Sequence, residues 1–319
     1  MLRLFGTHMS EESDYYKEIL KKENSIEGGH NSSLARTTKI PESKVTELEA
    51  SRYDNNEGYN PEFLTQTVPM PKIPEGILQD CAVLKDGRGY ELKYNHFSII
   101  MSKSRRLAYL TAVNLDGNQL KPIERESDRW YFDPRIDRRY QTGPELYSNN
   151  DLDRGHLVRR LDPVWGDVAK QANEDTFHFT NCSPQHKNLN QLTWQDLEDY
   201  ILKKADVFDL KVSVFTGPVF RNDDMPYRGE FQIPAEFWKL AVMVKDDNKL
   251  SATAYLQTQK NLIEDLKFAY GAYRTYQVPL TRIERLTGMN FGILSEHDPL
   301  ADIKGAVGRV ISGPNDIRI

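Results

Sequence analysis

Long apolar runs are missing from this sequence. The longest is Leu240 to Val244, five residues, against the ~18 that a membrane-crossing helix needs. Cysteine is nearly absent, with Cys81 and Cys182 the only two. Their spacing excludes a zinc ribbon, an iron–sulfur cluster and a disulfide scaffold, and leaves open one disulfide between them. The segment Met1 to Ser10 lacks the apolar core of a secretion signal, so the expected location is cytoplasmic or another intracellular compartment. Internal repeats and low-complexity tracts are also missing. Excess positive charge is absent too: 42 Lys+Arg against 47 Asp+Glu give a net charge of −5. Taken whole, that balance speaks against a general electrostatic grip on nucleic acid.

What is present divides unevenly. Residues 1–60 hold 18 apolar residues, or 30%, against 39% for the chain, with 8 basic and 11 acidic side chains. One helix is expected there, from Glu11 to Lys22, with Ser10 as its N-cap. Residues 24–60 read as an extended or disordered arm, and the Pro-rich TVPMPKIPEG (67–76) as a lead-in. The division is therefore a polar arm and linker over 1–70 and one folded domain over 71–319. Within the domain, strands are expected at 96–101, 106–113, 177–181, 210–216, 237–244 and 250–258. Helices are expected at 193–204 and 280–287, the second ending at Gly288. The mixture has no βαβ rhythm, so the expected class is α+β with a mainly antiparallel sheet and helices packed around it.

The informative stretch lies between Asp151 and Lys204. It contains DRGH (153–156), FTNCSPQ (179–185) and LNQLTWQDLE (189–198). This ordered set resembles the DNA/RNA non-specific endonuclease family, a branch of the ββα-metal (His-Me finger) nucleases. HFSIIMSKSRRLAYLTAVNLDG (96–117) and VPLTRIERLTGMNF (278–291) resemble its endonuclease G branch. The resemblance covers roughly residues 80–295. It implies metal-dependent hydrolysis of phosphodiester bonds in both DNA and RNA, with Mg²⁺ or alternatively Mn²⁺, and a homodimer.

Each position makes chemical sense under that resemblance. Phosphodiester hydrolysis needs a base for water, a Lewis acid on the phosphate and help for the leaving oxygen. His156 suits the base, since an imidazole of pKa ~6.5 is largely neutral at pH 7. Arg154 offers paired donors to phosphate oxygens. Gly155 is expected to let the backbone turn and the phosphate approach. Asn190 supplies a neutral carbonyl ligand to an ion that keeps most of its waters. Glu198, eight residues further on, sits about 80° around a helix from it, within reach of the ion's water shell. Asp153 is expected to orient that shell or the His156 ring. Asn181 reads as loop support more than as a substrate contact. His178 and His186 do not read as ligands.

The family places an Arg upstream of the motif on the phosphate. Arg129 is the best match, with Arg135 behind it. The family also often carries an Arg one turn after the Glu, where this sequence has Leu202; Lys203, Lys204 or the pair Arg159-Arg160 is expected to compensate. That departure motivates a second reading, a nucleic-acid-binding module that no longer cuts. Residues 103–160 hold 12 Lys+Arg, ten of them Arg, against 9 Asp+Glu. The acidic total thus averages an acidic arm with an Arg-rich segment around the motif. The arm itself is expected to mask the cleft or dock a regulatory protein.

Overall fold

The computed structural model describes residues 48–125, 129–186, 198, 201, 205, 209–259, 274–302, 308–311 and 317–318. The helix expected at 11–22 lies outside them, as does most of the helix expected at 193–204. Among the described residues no helix is long and apolar enough to cross a membrane.

An antiparallel sheet forms the body. Its strands are β1 (Glu91–Lys93), β2 (Phe97–Met101), β3 (Ala108–Asp116), β6 (Lys211–Val219), β9 (Glu236–Val244), β10 (Leu250–Thr258), β11 (Arg274–Val278) and β12 (Arg309–Ile311), adjacent in that order. Separate two-stranded ribbons are β4 (Leu152–His156) with β5 (Cys182–His186), and β7 (Met225–Tyr227) with β8 (Phe231–Ile233). The α+β class holds. β9 and β10 form a hairpin in which Asn248, at φ 59°, takes the left-handed position of the turn. The helix Leu280–Thr287 stops at Gly288, whose φ of 72° allows the left-handed cap.

Both faces of the sheet are covered. On one side Phe237, Ala241, Val212, Val214 and Tyr255 pack with Leu157, Val158, Leu161, Ile201 and Ala205. On the other, Phe215, Trp238, Leu240, Val242 and Ala254 pack with Leu280, Ile283, Phe291 and Leu294. The period-two alternation of β9 sorts its residues between these layers.

Three findings stand beside these expectations. The boundary at 70/71 does not mark where packing begins. Tyr53 lies buried in the first layer, and Tyr59, Leu64 and Val68 in the second. A few apolar anchors in a polar stretch suffice to fasten it, and an averaged composition hides them. The strand expected at 177–181 is instead a single bridge, Tyr131 to His178, followed by a 3-10 turn at Phe179–Asn181. Phe177 and Phe179 pack locally around Trp130, so their alternation reflects that cluster and not a ladder. Cys81 and Cys182 are free thiols in different clusters; burial pushes them up to about 11 and about 12 respectively.

Candidate active site

The DRGH motif forms β4, paired antiparallel with β5: Asp153 lies opposite Gln185, Gly155 opposite Ser183 and His156 opposite Cys182. Alternation puts Arg154 and His156 on one face of this ribbon and Asp153 on the other. The His156 ring is flanked by Trp130, at 4.9 Å between centroids, and by Phe177, edge-on at 5.2 Å. The Arg154 guanidinium lies 5.4 Å from the centre of the same indole. Trp130 is itself buried, so one aromatic wall orders both side chains. Arg129, its chain neighbour, is exposed. Arg125 lies 5.9 Å from the Phe177 ring, which brings a further guanidinium to this aromatic group.

Gly155 plays a part other than the one expected. It is an ordinary extended residue of β4, without positive φ. A Cβ there would meet the Gln185 amide oxygen at 2.1 Å. Close packing against Gln185, not a sharp turn, excludes a side chain. Asp153 lies on the opposite face of the ribbon from His156.

The chain leaving His156 is clamped by Asn181. Its Oδ1 accepts from Val158 N at 2.9 Å, and its Nδ2 donates to the carbonyls of Val158 and Thr176. Asn181 is wholly buried and these bonds account for its amide. Gln259 does the same for β5. Its Nε2 donates to the Pro184 and Pro234 carbonyls, and its Oε1 accepts from His186 N. Sequence reasoning missed Gln259, because nothing local distinguishes a strand-end Gln that bridges to a distant ribbon.

Arg135 sits elsewhere. It forms an ion pair with Asp133 at 2.7 Å and lies over the rings of Tyr53 and Tyr94. Burial is the largest single influence and works to raise the Asp133 carboxyl, but the Arg135 charge, the Arg135 hydrogen bonds and the Tyr94 hydroxyl together hold the group below its ordinary range. Tyr94 donates to Asp133 at 2.5 Å, and Tyr53 shares a 2.7 Å hydrogen bond with His178 Nε2. The other His178 nitrogen faces the Asp175 carbonyl. Burial lowers the His178 pKa, and with both ring nitrogens engaged it is not offered as a ligand. Arg159 and Arg160 are buried as well, the latter donating to Ile123 O and Asn173 Oδ1.

Glu198 is described, and its Oε1 accepts from Lys239 Nζ at 2.8 Å. Ile201 and Ala205, on the same helical stripe, share a core layer with Leu157 and Val158, the residues directly after His156. Packing thus brings the Glu198 helix against the chain leaving the motif. Asn190, Lys203 and Lys204 lie outside the described residues. Among the described ones, no group of three or more His, Cys, Asp or Glu could hold a metal ion.

The sequence profile of the DNA/RNA non-specific endonucleases matches residues 82–294. The chain belongs to that family. A Sinorhizobium fredii protein, y4fB, of uncharacterized function, is 40% identical over 264 residues. That alignment takes in 76% of this chain and 40% of y4fB, so the chain spans about two fifths of that relative's length. A nuclease from Serratia marcescens is 24% identical, covering 59% of this chain and 70% of its own. A salivary endonuclease from Lutzomyia longipalpis is 24% identical over 40% of this chain and 35% of its own. Among solved structures, the crystal structure of the EndoG/EndoGI complex is similar at a TM-score of 0.51 and 19% identity. It covers 68% of this chain and 91% of the solved one; at that identity the likeness speaks for the fold. The β4–β5 ribbon carries the motif by which the sequence resembles that family.

Proposed function

We propose that this family member hydrolyses phosphodiester bonds of both DNA and RNA by a metal-dependent route. The observation that carries the reading is the common placement of Arg154 and His156 on one face of β4, against the single indole of Trp130. His156 takes the proton of the attacking water at a ring nitrogen. Arg154 donates to the non-bridging oxygens, and exposed Arg129 is positioned to add a second guanidinium. Asn190 and Glu198 would hold a hydrated Mg²⁺, with Mn²⁺ as the alternative. Their oxygens are the hard donors such an ion prefers, and Glu198 Oε2 has no hydrogen-bond partner among the described residues. When bound, the ion supplies Lewis-acid neutralisation of the phosphate charge and help for the leaving oxygen. Nothing in the sequence resembles a base-reading module, so weak sequence preference is expected.

Digestion of plasmid DNA and of RNA with Mg²⁺, comparing wild type with His156→Ala and Asn190→Ala, tests the reading. Cleavage by wild type and its loss in both variants is expected; equal cleavage by all three rejects it. Leu202, in place of a cation one turn after Glu198, favours the rival reading of a binding module that no longer cuts. Tight, metal-independent DNA binding without nicking would select that one. A homodimer is proposed from the family resemblance. The inhibition named for the EndoG/EndoGI complex motivates the proposal that a protein partner also restrains this nuclease, with residues 1–60 as the docking segment.

A further inference from the structure

A lysine in the middle of the main sheet is the least expected residue in this core. Lys239 lies at the centre of β9, opposite Thr216 of β6 and Tyr255 of β10. Its side chain is 0% exposed. Phe237 and Ala241, two residues to either side, are buried on the same face. Removing an ammonium from water costs several kcal/mol even after relaxation, and a packed apolar side chain would avoid that cost. Fold stability alone therefore gives no reason for lysine at this position.

The reason lies across the layer. Lys239 Nζ donates to Glu198 Oε1 at 2.8 Å. Glu198 is nearly buried too, with its side chain 10% exposed. That hydrogen bond is the one Glu198 makes among the described residues, so one carboxylate oxygen is committed and Oε2 is left over. Four residues on in the sequence stands Leu202, not a cation. The positive charge that meets this glutamate comes from the sheet, the stiffest part of the molecule. β9 is paired with β10 from Glu236 to Val244 and with β6 from Glu236 to Met243.

We propose that Lys239 is a positioning residue for the active site. It fixes the Glu198 carboxylate so that Oε2 meets the water shell of the catalytic ion. Lys239 touches neither the substrate nor the ion; it acts through Glu198. The inference rests on the nuclease reading above.

The test uses the full chain with Lys239→Met, Lys239→Arg, Glu198→Gln and the double variant Glu198→Gln/Lys239→Met. Mn²⁺ binding is measured by calorimetry without nucleic acid, and kcat and KM on a defined oligonucleotide. Residues that orient metal-site groups typically contribute about 10–100-fold to affinity or activity. Lys239→Met is expected to weaken Mn²⁺ binding and lower kcat by about that factor with KM little changed, and Lys239→Arg to lose less. In the Glu198→Gln background, Lys239→Met is expected to have less than about a twofold further effect, because the two act as one unit. Lys239→Met leaves a nearly buried carboxylate without its cation. If it fails to fold, Lys239→Gln, which still donates to Glu198, replaces it in the same comparison. Unchanged Mn²⁺ binding and kcat in a folded Lys239 variant would overturn the proposal. So would a loss as large in the Glu198→Gln background as in the wild type. An inactive wild type would instead reject the nuclease reading, whereas an active wild type with a fully active Lys239→Met rejects this inference alone.

Discussion

The two faces of the main sheet are buried to the same degree and are built from different chemistry. The face toward the β4–β5 ribbon presents Thr111, Thr216, Lys239, Thr253, Gln257 and Gln277 among its apolar residues. The opposite face presents Leu110, Phe215, Trp238, Leu240, Val242 and Leu256, with buried polar Ser98, Asn114 and Ser213 in its β2, β3 and β6 part. A buried polar group returns little net stability once its lost hydration is counted, whereas buried hydrocarbon returns about 25 cal/mol per Å². The second face therefore holds the fold, and the first spends some of that stability on pairing and placement. Thr111 donates to the Thr216 carbonyl, Gln257 to the Thr275 hydroxyl and Lys239 to Glu198. The segment beginning at residue 48 ties the two together, with Tyr53 on the first side and Tyr59 and Val68 on the second.

The sharpest way to separate the faces is to damage each alone. On the site side, His156→Ala is expected to lower kcat by about 10²–10⁴ while thermal unfolding is nearly unchanged, because the ring is only half-buried. A comparable loss of Tm would mean that the motif serves stability. On the apolar side, Trp238→Ala is expected to cost about 3–5 kcal/mol in denaturant unfolding. The protein that remains folded should cleave at the wild-type rate; a lowered kcat per folded molecule would show that the layers are not separable.

The strap across both layers comes next. Deleting residues 1–60 removes Tyr53 and Tyr59, two buried aromatic anchors. A destabilisation of at least about 3 kcal/mol is expected, while deletion of 1–47 leaves both in place. Equal unfolding curves for the two truncations would show that the strap carries no stability. Gly155→Ala drives a methyl group into Gln185 and is expected to cost about 1–3 kcal/mol. Calorimetry together with activity checks it, since any shift of β4 also moves His156.

The smallest effect is a pH dependence. Burial lowers the His178 pKa in the folded state, so below ~6.5 the unfolded chain binds the proton that the folded chain refuses. Stability is then expected to fall as pH drops below that value. His178→Asn should flatten the dependence of Tm between pH 7 and 5 that this residue contributes, to be read over about that range. A profile identical to wild type would remove His178 from the account.

Much of the sheet was legible because strand alternation is local. The runs at 237–244 and 250–258 became β9 and β10, and Gly288 ended its helix as expected. The motif residues Arg154 and His156 were legible as residue types, and the ribbon puts them on one face. Other readings failed for want of a partner. Arg135, read as second to Arg129 for the phosphate, pairs with Asp133 and lies over two tyrosine rings. Arg159 and Arg160, expected to compensate for the Arg replaced by Leu202, are buried. Lys239 sat inside a strand pattern and drew no notice.

The sequence by itself determined the family, the α+β class and the residue types that the chemistry needs. These depend on short strings and on periodicities of two and 3.6 residues, which neighbours along the chain enforce. Only the tertiary structure decided which charges meet. Lys239 and Glu198 are 41 residues apart, and Arg52 meets Glu174 across 122. Such pairings follow from which layers pack together, and the energy of a buried charge depends on its partner and not on its neighbours in sequence.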